Sequence, residues 1–88
     1  MIVQCKYYKL KEKKDMQDGH SILANQKLLY ICTEEEDIQF ITIDDSDIER
    51  IFWAKENEVE FIESKEEEWT DEEVKEFENK ITGNWLIN

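Results

Sequence analysis

Residues 27–43 read KLLYICTEEEDIQFITI, and this stretch decides the fold. Two apolar runs flank one short acidic link. In Lys27 to Thr33, Leu28, Tyr30 and Cys32 fall on one side, and Leu29 and Ile31 on the other. A strand that is apolar on both faces belongs in the middle of a sheet. In Asp37 to Ile43, Ile38 and Phe40 share a face, with Ile41 and Ile43 on the other. A link as short as Glu34-Glu35-Glu36 joins only antiparallel neighbours, so the two strands form a hairpin.

Further strands follow in both directions. Ile2 to Leu10 is rich in β-branched and aromatic residues, with Val3, Cys5 and Tyr7 on one side. Lys11 to Ser21 is polar, contains the turn pair Asp18-Gly19, and reads as a long mobile connection. Asp44-Asp45-Ser46-Asp47 is a turn of residues that bond their own backbone. Ile48 to Ala54 fits either a helical stripe or a strand. About eight residues lie before the next turn, at Glu56-Asn57, which is short for a helix and favours the strand. A last strand is expected at Glu58 to Glu63, with Val59 and Phe61 inward.

One helix is expected from Asp71 to Ile81. Thr70 and Glu73 form a capping box, and the acids of the first turn suit the helix dipole. Val74, Phe77 and Ile81 make its apolar face, Trp69 is placed to staple onto Val74 or Phe77, and Gly83 reads as its stop. Trp85, Leu86 and Ile87 are apolar enough to dock on the domain. The expected fold class is α+β: a small antiparallel meander of four to five strands with a C-terminal helix packed on one face. Residues 1–88 make a single compact acidic domain.

The charge is segregated along the chain. Residues 1–33 carry six lysines against three carboxylates, and residues 34–88 carry 20 carboxylates against five cations, for a net charge of −12. Solubility asks a net charge of only about 2–8 of a small domain, and the excess weakens the compact state by self-repulsion. Ten aromatic residues exclude a disordered acidic tail. Apolar runs are too short for a membrane-spanning helix, and the N-terminus lacks the apolar core of a signal peptide. The expectation is a cytoplasmic protein, in a bacterial host cell, that binds neither membrane nor nucleic acid directly. Cys5 and Cys32 are too few for a disulfide framework and read as reduced core thiols, which become neighbours if their strands pair.

Catalytic signatures are missing. His20 is the one histidine, in a polar loop, and no Gly-rich phosphate loop or HExxH occurs. Asp44, Asp45, Asp47 and Glu49 fail the twelve-residue calcium-loop pattern, which would need glycine and glutamate where Glu49 and Lys55 stand. Cys5, His20 and Cys32 match no zinc spacing. No catalytic residue, metal site or cofactor is therefore expected.

The acids form clusters at links, turns and outward strand positions. Glu34, Glu35, Glu36 and Asp37 form one, and Asp44, Asp45 and Asp47 a second. Glu56, Glu58 and Glu60 form a third, and Glu66, Glu67 and Glu68 run on to Asp71 and Glu72. Glu58 and Glu60 stand about 6–7 Å apart on a strand, and Glu72 and Glu76 about 5–6 Å apart on a helix. Such spacings imitate part of the charge lattice of DNA. With Trp53 as an exposed anchor, these acids are the expected binding residues for a basic protein, a nuclease or other nucleic-acid-binding effector. A solvated face is the plainer account of the same clusters.

Size, acidity and the lack of catalytic residues resemble the small inhibitors that phages and mobile elements make against nucleases, restriction enzymes or CRISPR effectors. They resemble immunity proteins against nuclease toxins equally. The likeness is one of composition and carries no site residues over. It implies an anti-defence inhibitor, acting as a DNA mimic, that is a monomer or small homo-oligomer. The alternative is a structural or regulatory module that self-associates.

Overall fold

A computed structural model describes residues 1–87, with side chains through Ile81. The chain folds as an α+β unit. The long strands are β1 (Ile2–Leu10), β4 (Leu28–Glu34), β5 (Asp37–Ile43), β6 (Glu49–Lys55) and β7 (Val59–Glu68). They form one antiparallel sheet in the order β6-β5-β4-β1-β7. The apolar-on-both-faces strand β4 holds the middle, and the segment from Glu49 is a strand rather than a helix.

The meander holds for β1, β4, β5 and β6, but β7 does not extend it. It returns to pair with β1, from Leu10 opposite Val59 to Ile2 opposite Glu68. Only the 3-10 turn Glu56–Glu58 joins β6 to β7. In a flat sheet these two edges would lie about 19 Å apart, four strand spacings. Four residue steps span at most about 14 Å. The sheet therefore curls until its two edges approach.

The core lies inside the curl. Leu10, Ile22, Leu28, Phe40, Phe52, Ala54 and Val59 are buried there, and Tyr8, Met16 and Tyr30 pack against them. Phe40 is the hub, with ring centroids 5.3 Å from Tyr8 and 5.9 Å from Phe52. A bulge interrupts the β1–β7 register between Tyr7 and Tyr8. Their partners Glu63 and Phe61 are two residues apart on β7, which leaves Ile62 as the extra residue; Tyr8 turns inward with Leu10 onto the core, while Tyr7 faces the other way toward Glu67. A second bulge interrupts β4 between Tyr30 and Cys32.

The connection after β1 is not the mobile loop its polarity implies. It folds into a ribbon of β2 (Lys14–Asp15) and β3 (Ser21–Ile22), closed by a turn in which Gly19 has φ of +90°. The Met16 N–H donates to the His20 carbonyl at 2.7 Å. Ile22 is fully buried beneath the sheet, which pins the ribbon. Asn25 takes φ of +70° on the way out, and the Gln26 amide donates to Thr42 Oγ1 at 2.8 Å.

Helix α1 (Asp71–Ile87) follows β7. The capping box forms as expected: the Glu73 N–H donates to Thr70 Oγ1, and the Thr70 N–H to Glu73 Oε1, each at 3.1 Å. Trp69 staples onto Phe77, edge to face at 5.4 Å. Val74, Phe77 and Ile81 are half-buried. The Lys80 ammonium pairs with Glu49 at 2.7 Å, tying the helix to the far edge strand β6. The helix runs past Gly83, so this glycine is not its stop; glycine weakens a helix without ending it. The docking expected of Trp85, Leu86 and Ile87 concerns side chains outside the described ones.

Both cysteines are free. Cys5 is buried beside Tyr7, whereas Cys32 donates to Gln39 on the neighbouring strand at 3.6 Å. Strands β1 and β4 pair only around Tyr7 and Tyr8, so the two thiols do not meet. Among the described residues, no helix is long and apolar enough to cross a membrane.

Candidate functional site

The curl brings two acidic segments together. The β4–β5 hairpin closes on the pair Glu34 and Asp37, leaving Glu35 and Glu36 as a two-residue turn. Glu35 sits in the left-handed region at φ of +57°, where glycine or asparagine is the ordinary choice. The 3-10 turn after β6 lies against this hairpin, its Glu56 N–H donating to the Glu36 carbonyl at 3.4 Å. Glu34, Glu35, Glu36 and Glu56 thus share one end of the molecule. None of the four makes an ion pair among the described residues.

A cleft of about 440 Å³ opens between the two turns. Glu35, Glu36 and Glu56 rim it, and Tyr8, Ile38, Val59 and Phe61 form its walls beside Thr33. The Tyr8 and Phe61 rings meet edge to face at 5.4 Å. Phe61 faces the same way as Val59, as alternation requires, but it is 55% exposed whereas Val59 is buried. Phe61 points inward onto Tyr8 as expected, but the open cleft leaves its ring exposed. Round the same hairpin, Trp53 lines a shallower recess with Glu34, Glu35 and Asp37. Trp53 is half-buried, opposite in sense to its buried neighbour Phe52. Lys55 pairs with Asp37 at 3.3 Å, and Glu58 turns back to accept the Lys55 N–H at 2.8 Å.

The Asp44 cluster is a different object at the other end of β5, about 20 Å away along a seven-residue strand. The Asp44 side chain is fully buried. Its Oδ1 accepts from the Ser46 N–H and hydroxyl at 2.8 Å and from the Ile48 N–H at 3.0 Å. Its Oδ2 accepts from Arg50 Nε at 2.7 Å. Burial alone would raise this carboxyl, but the Arg50 guanidinium and the three turn bonds outweigh it and hold it well below the usual carboxylate range. Asp44 builds the β5–β6 turn and is not a surface contact, as its place in an acidic run implied. Arg50 also donates to Asp18, and Asp45 lies 3.2 Å from His20 Nδ1, so this cluster stitches the ribbon to the sheet. Asp47 occupies the turn at φ of +63°. Ligand atoms of His20, Asp44 and Asp45 lie within 4.8 Å of one another, but the guanidinium already supplies the cation there.

Along β7 the fold cancels much of the charge segregation, because basic β1 and its ribbon lie beside the acidic strand. Lys9 pairs with Glu60 at 3.7 Å, Lys14 with Glu58 at 3.6 Å and Lys27 with Glu63 at 2.9 Å. The Lys27 ammonium also stands 5.0 Å from the Tyr7 ring centre. Tyr7 donates to Glu67, and burial together with this carboxylate pushes the phenol above its ordinary range. The same hydrogen bond lowers Glu67, and Lys27 lowers Glu63. Glu66, Glu68, Asp71 and Glu72 make no ion pair among the described residues; Asp71 and Glu72 lie in the first turn of α1.

The expected binding residues therefore divide. Glu34, Glu35, Glu36, Asp37, Trp53 and Glu56 converge, while Glu58, Glu60 and Glu67 are partnered and Asp44 is buried. Tyr8 and Phe61 were invisible as site residues because their meeting depends on β7 crossing to β1. No family model, curated protein or solved structure matches this chain.

Proposed function

We propose that this chain is a small non-catalytic inhibitor that acts in the bacterial cytoplasm. Its acidic end occupies a Lys- and Arg-lined groove on a nuclease or other nucleic-acid-binding protein and excludes the nucleic acid. The observation that carries the reading is the convergence of Glu34, Glu35, Glu36 and Glu56, without ion pairs among the described residues, around an apolar cleft. Glu35 adds weight, since a carboxylate stands where the backbone favours glycine. Clustered charge on one end steers a basic partner and sets its orientation. The cleft and Trp53 offer the aromatic surface that anchors interfaces.

The test compares the protein with its E34Q/E36Q/E56Q variant, each immobilised and exposed to bacterial lysate. A basic nucleic-acid-binding protein should be retained by the first, lost on the variant and displaced by duplex DNA. Equal retention by both, or indifference to DNA, would refute occlusion of a basic groove.

A further inference from the structure

Resting on that reading, we propose that the cleft between the β4–β5 turn and the Glu56–Glu58 turn is a receptor for one arginine side chain of the partner. The cleft measures about 440 Å³. One long side chain with its flanking backbone fits. The walls and rim then select its chemistry. Tyr8, Ile38, Val59 and Phe61 offer an apolar surface to an aliphatic stem, and the exposed Phe61 ring offers a face to a flat cation. A wholly apolar side chain would bury Glu35, Glu36 and Glu56 without compensation, and an anion would be repelled. Arginine fits better than lysine. Its planar guanidinium stacks on rings and presents paired donors to more than one carboxylate, whereas an ammonium is a compact, strongly hydrated point charge. Carboxylates stand on two sides of the cleft, Glu35 and Glu36 from the hairpin and Glu56 from the 3-10 turn.

The experiment is a backbone-amide NMR titration with a blocked pentapeptide carrying one arginine between serines. A citrulline counterpart of nearly the same shape is the control, and hexaarginine reports on the acidic end as a whole. The arginine peptide should move the Thr33, Ile38, Val59 and Phe61 amides, and the citrulline peptide should not. F61A and E56Q should each weaken the arginine peptide by about fivefold. Phe61 is largely exposed and Glu56 lies on a surface turn, so both variants should keep the parent spectrum elsewhere. Equal shifts from citrulline, or arginine shifts at the Asp44 turn and at Glu66 to Glu68 in place of the cleft, would overturn the assignment. Hexaarginine binding with a silent cleft would remove the arginine receptor and leave the acidic-end reading standing. No binding of hexaarginine would remove both.

Discussion

Replacing Ile22 by alanine should destabilise this protein far more than its place in a polar connection implies. The side chain is fully buried beneath the sheet, although β3 has only two residues. Full burial of an isoleucine is worth about 1.5–3 kcal/mol in removed apolar area. Truncation to alanine adds the cost of the cavity, which brings comparable substitutions to about 2–5 kcal/mol. Curled strands surround Ile22 and leave little room for collapse, so about 3 kcal/mol is expected. A chain of 88 residues has about 4–13 kcal/mol in total. In urea, with a slope of about 1.5 kcal/mol/M, the midpoint should fall by about 2 M. The adjacent Leu23, 50% exposed, supplies the control, and Leu23→Ala should stay within about 0.5 kcal/mol of the parent. If Ile22→Ala leaves too little folded protein, Ile22→Val should cost about 0.5–1.5 kcal/mol. Ile22→Ala no worse than Leu23→Ala would show that the ribbon does not close the core, and the reasoning would fail.

Other outcomes follow from single residues. Phe40→Ala removes the hub of the aromatic core and should cost about 3–5 kcal/mol by urea unfolding, leaving the domain marginal or unfolded. Asp44→Asn should destabilise with a definite pH signature. The folded carboxyl lies below its unfolded value near 4, so its stabilisation is complete above about pH 4 and is lost as pH falls toward the folded value. The gap between parent and variant should therefore narrow below about pH 4; a gap independent of pH would contradict the Arg50 pairing. Glu35→Gly relieves a left-handed residue and should raise stability by about 0.5–1 kcal/mol while weakening partner binding. Iodoacetamide should label the half-buried Cys32 before the buried Cys5, by mass spectrometry of partly reacted protein.

The local features were legible where a few neighbouring residues decide. The run from Leu28 to Ile43 specifies a hairpin by alternation and a short link, and Thr70 with Glu73 specifies a helix start. The strand from Glu49 followed from the shortness of its segment. What escaped depends on residues far apart in sequence. Pairing of β7 with β1 joins residues 49 to 66 positions apart, and both the Tyr8–Phe61 wall and the neutralisation of Glu60 by Lys9 follow from it. Ile22 carries no periodic pattern, being one apolar residue in a two-residue strand. Asp44 looked like its acidic neighbours because the sequence does not say which carboxylate turns inward to meet Arg50. The acidic apex was half visible: its carboxylates stand out in the sequence, but their union with Glu56 requires the curl.

The central claim is that one acidic end, and not net charge, carries recognition. The direct measurement is the salt dependence of hexaarginine affinity for two variants of equal charge change. E35Q/E36Q/E56Q neutralises the cleft rim, and E66Q/E68Q/D71N neutralises three acids on β7 and at the start of α1. If the account holds, the first variant loses most of the affinity and most of its salt dependence, while the second stays close to the parent. Equal losses in the two would mean that overall charge alone draws the partner, and would contradict it.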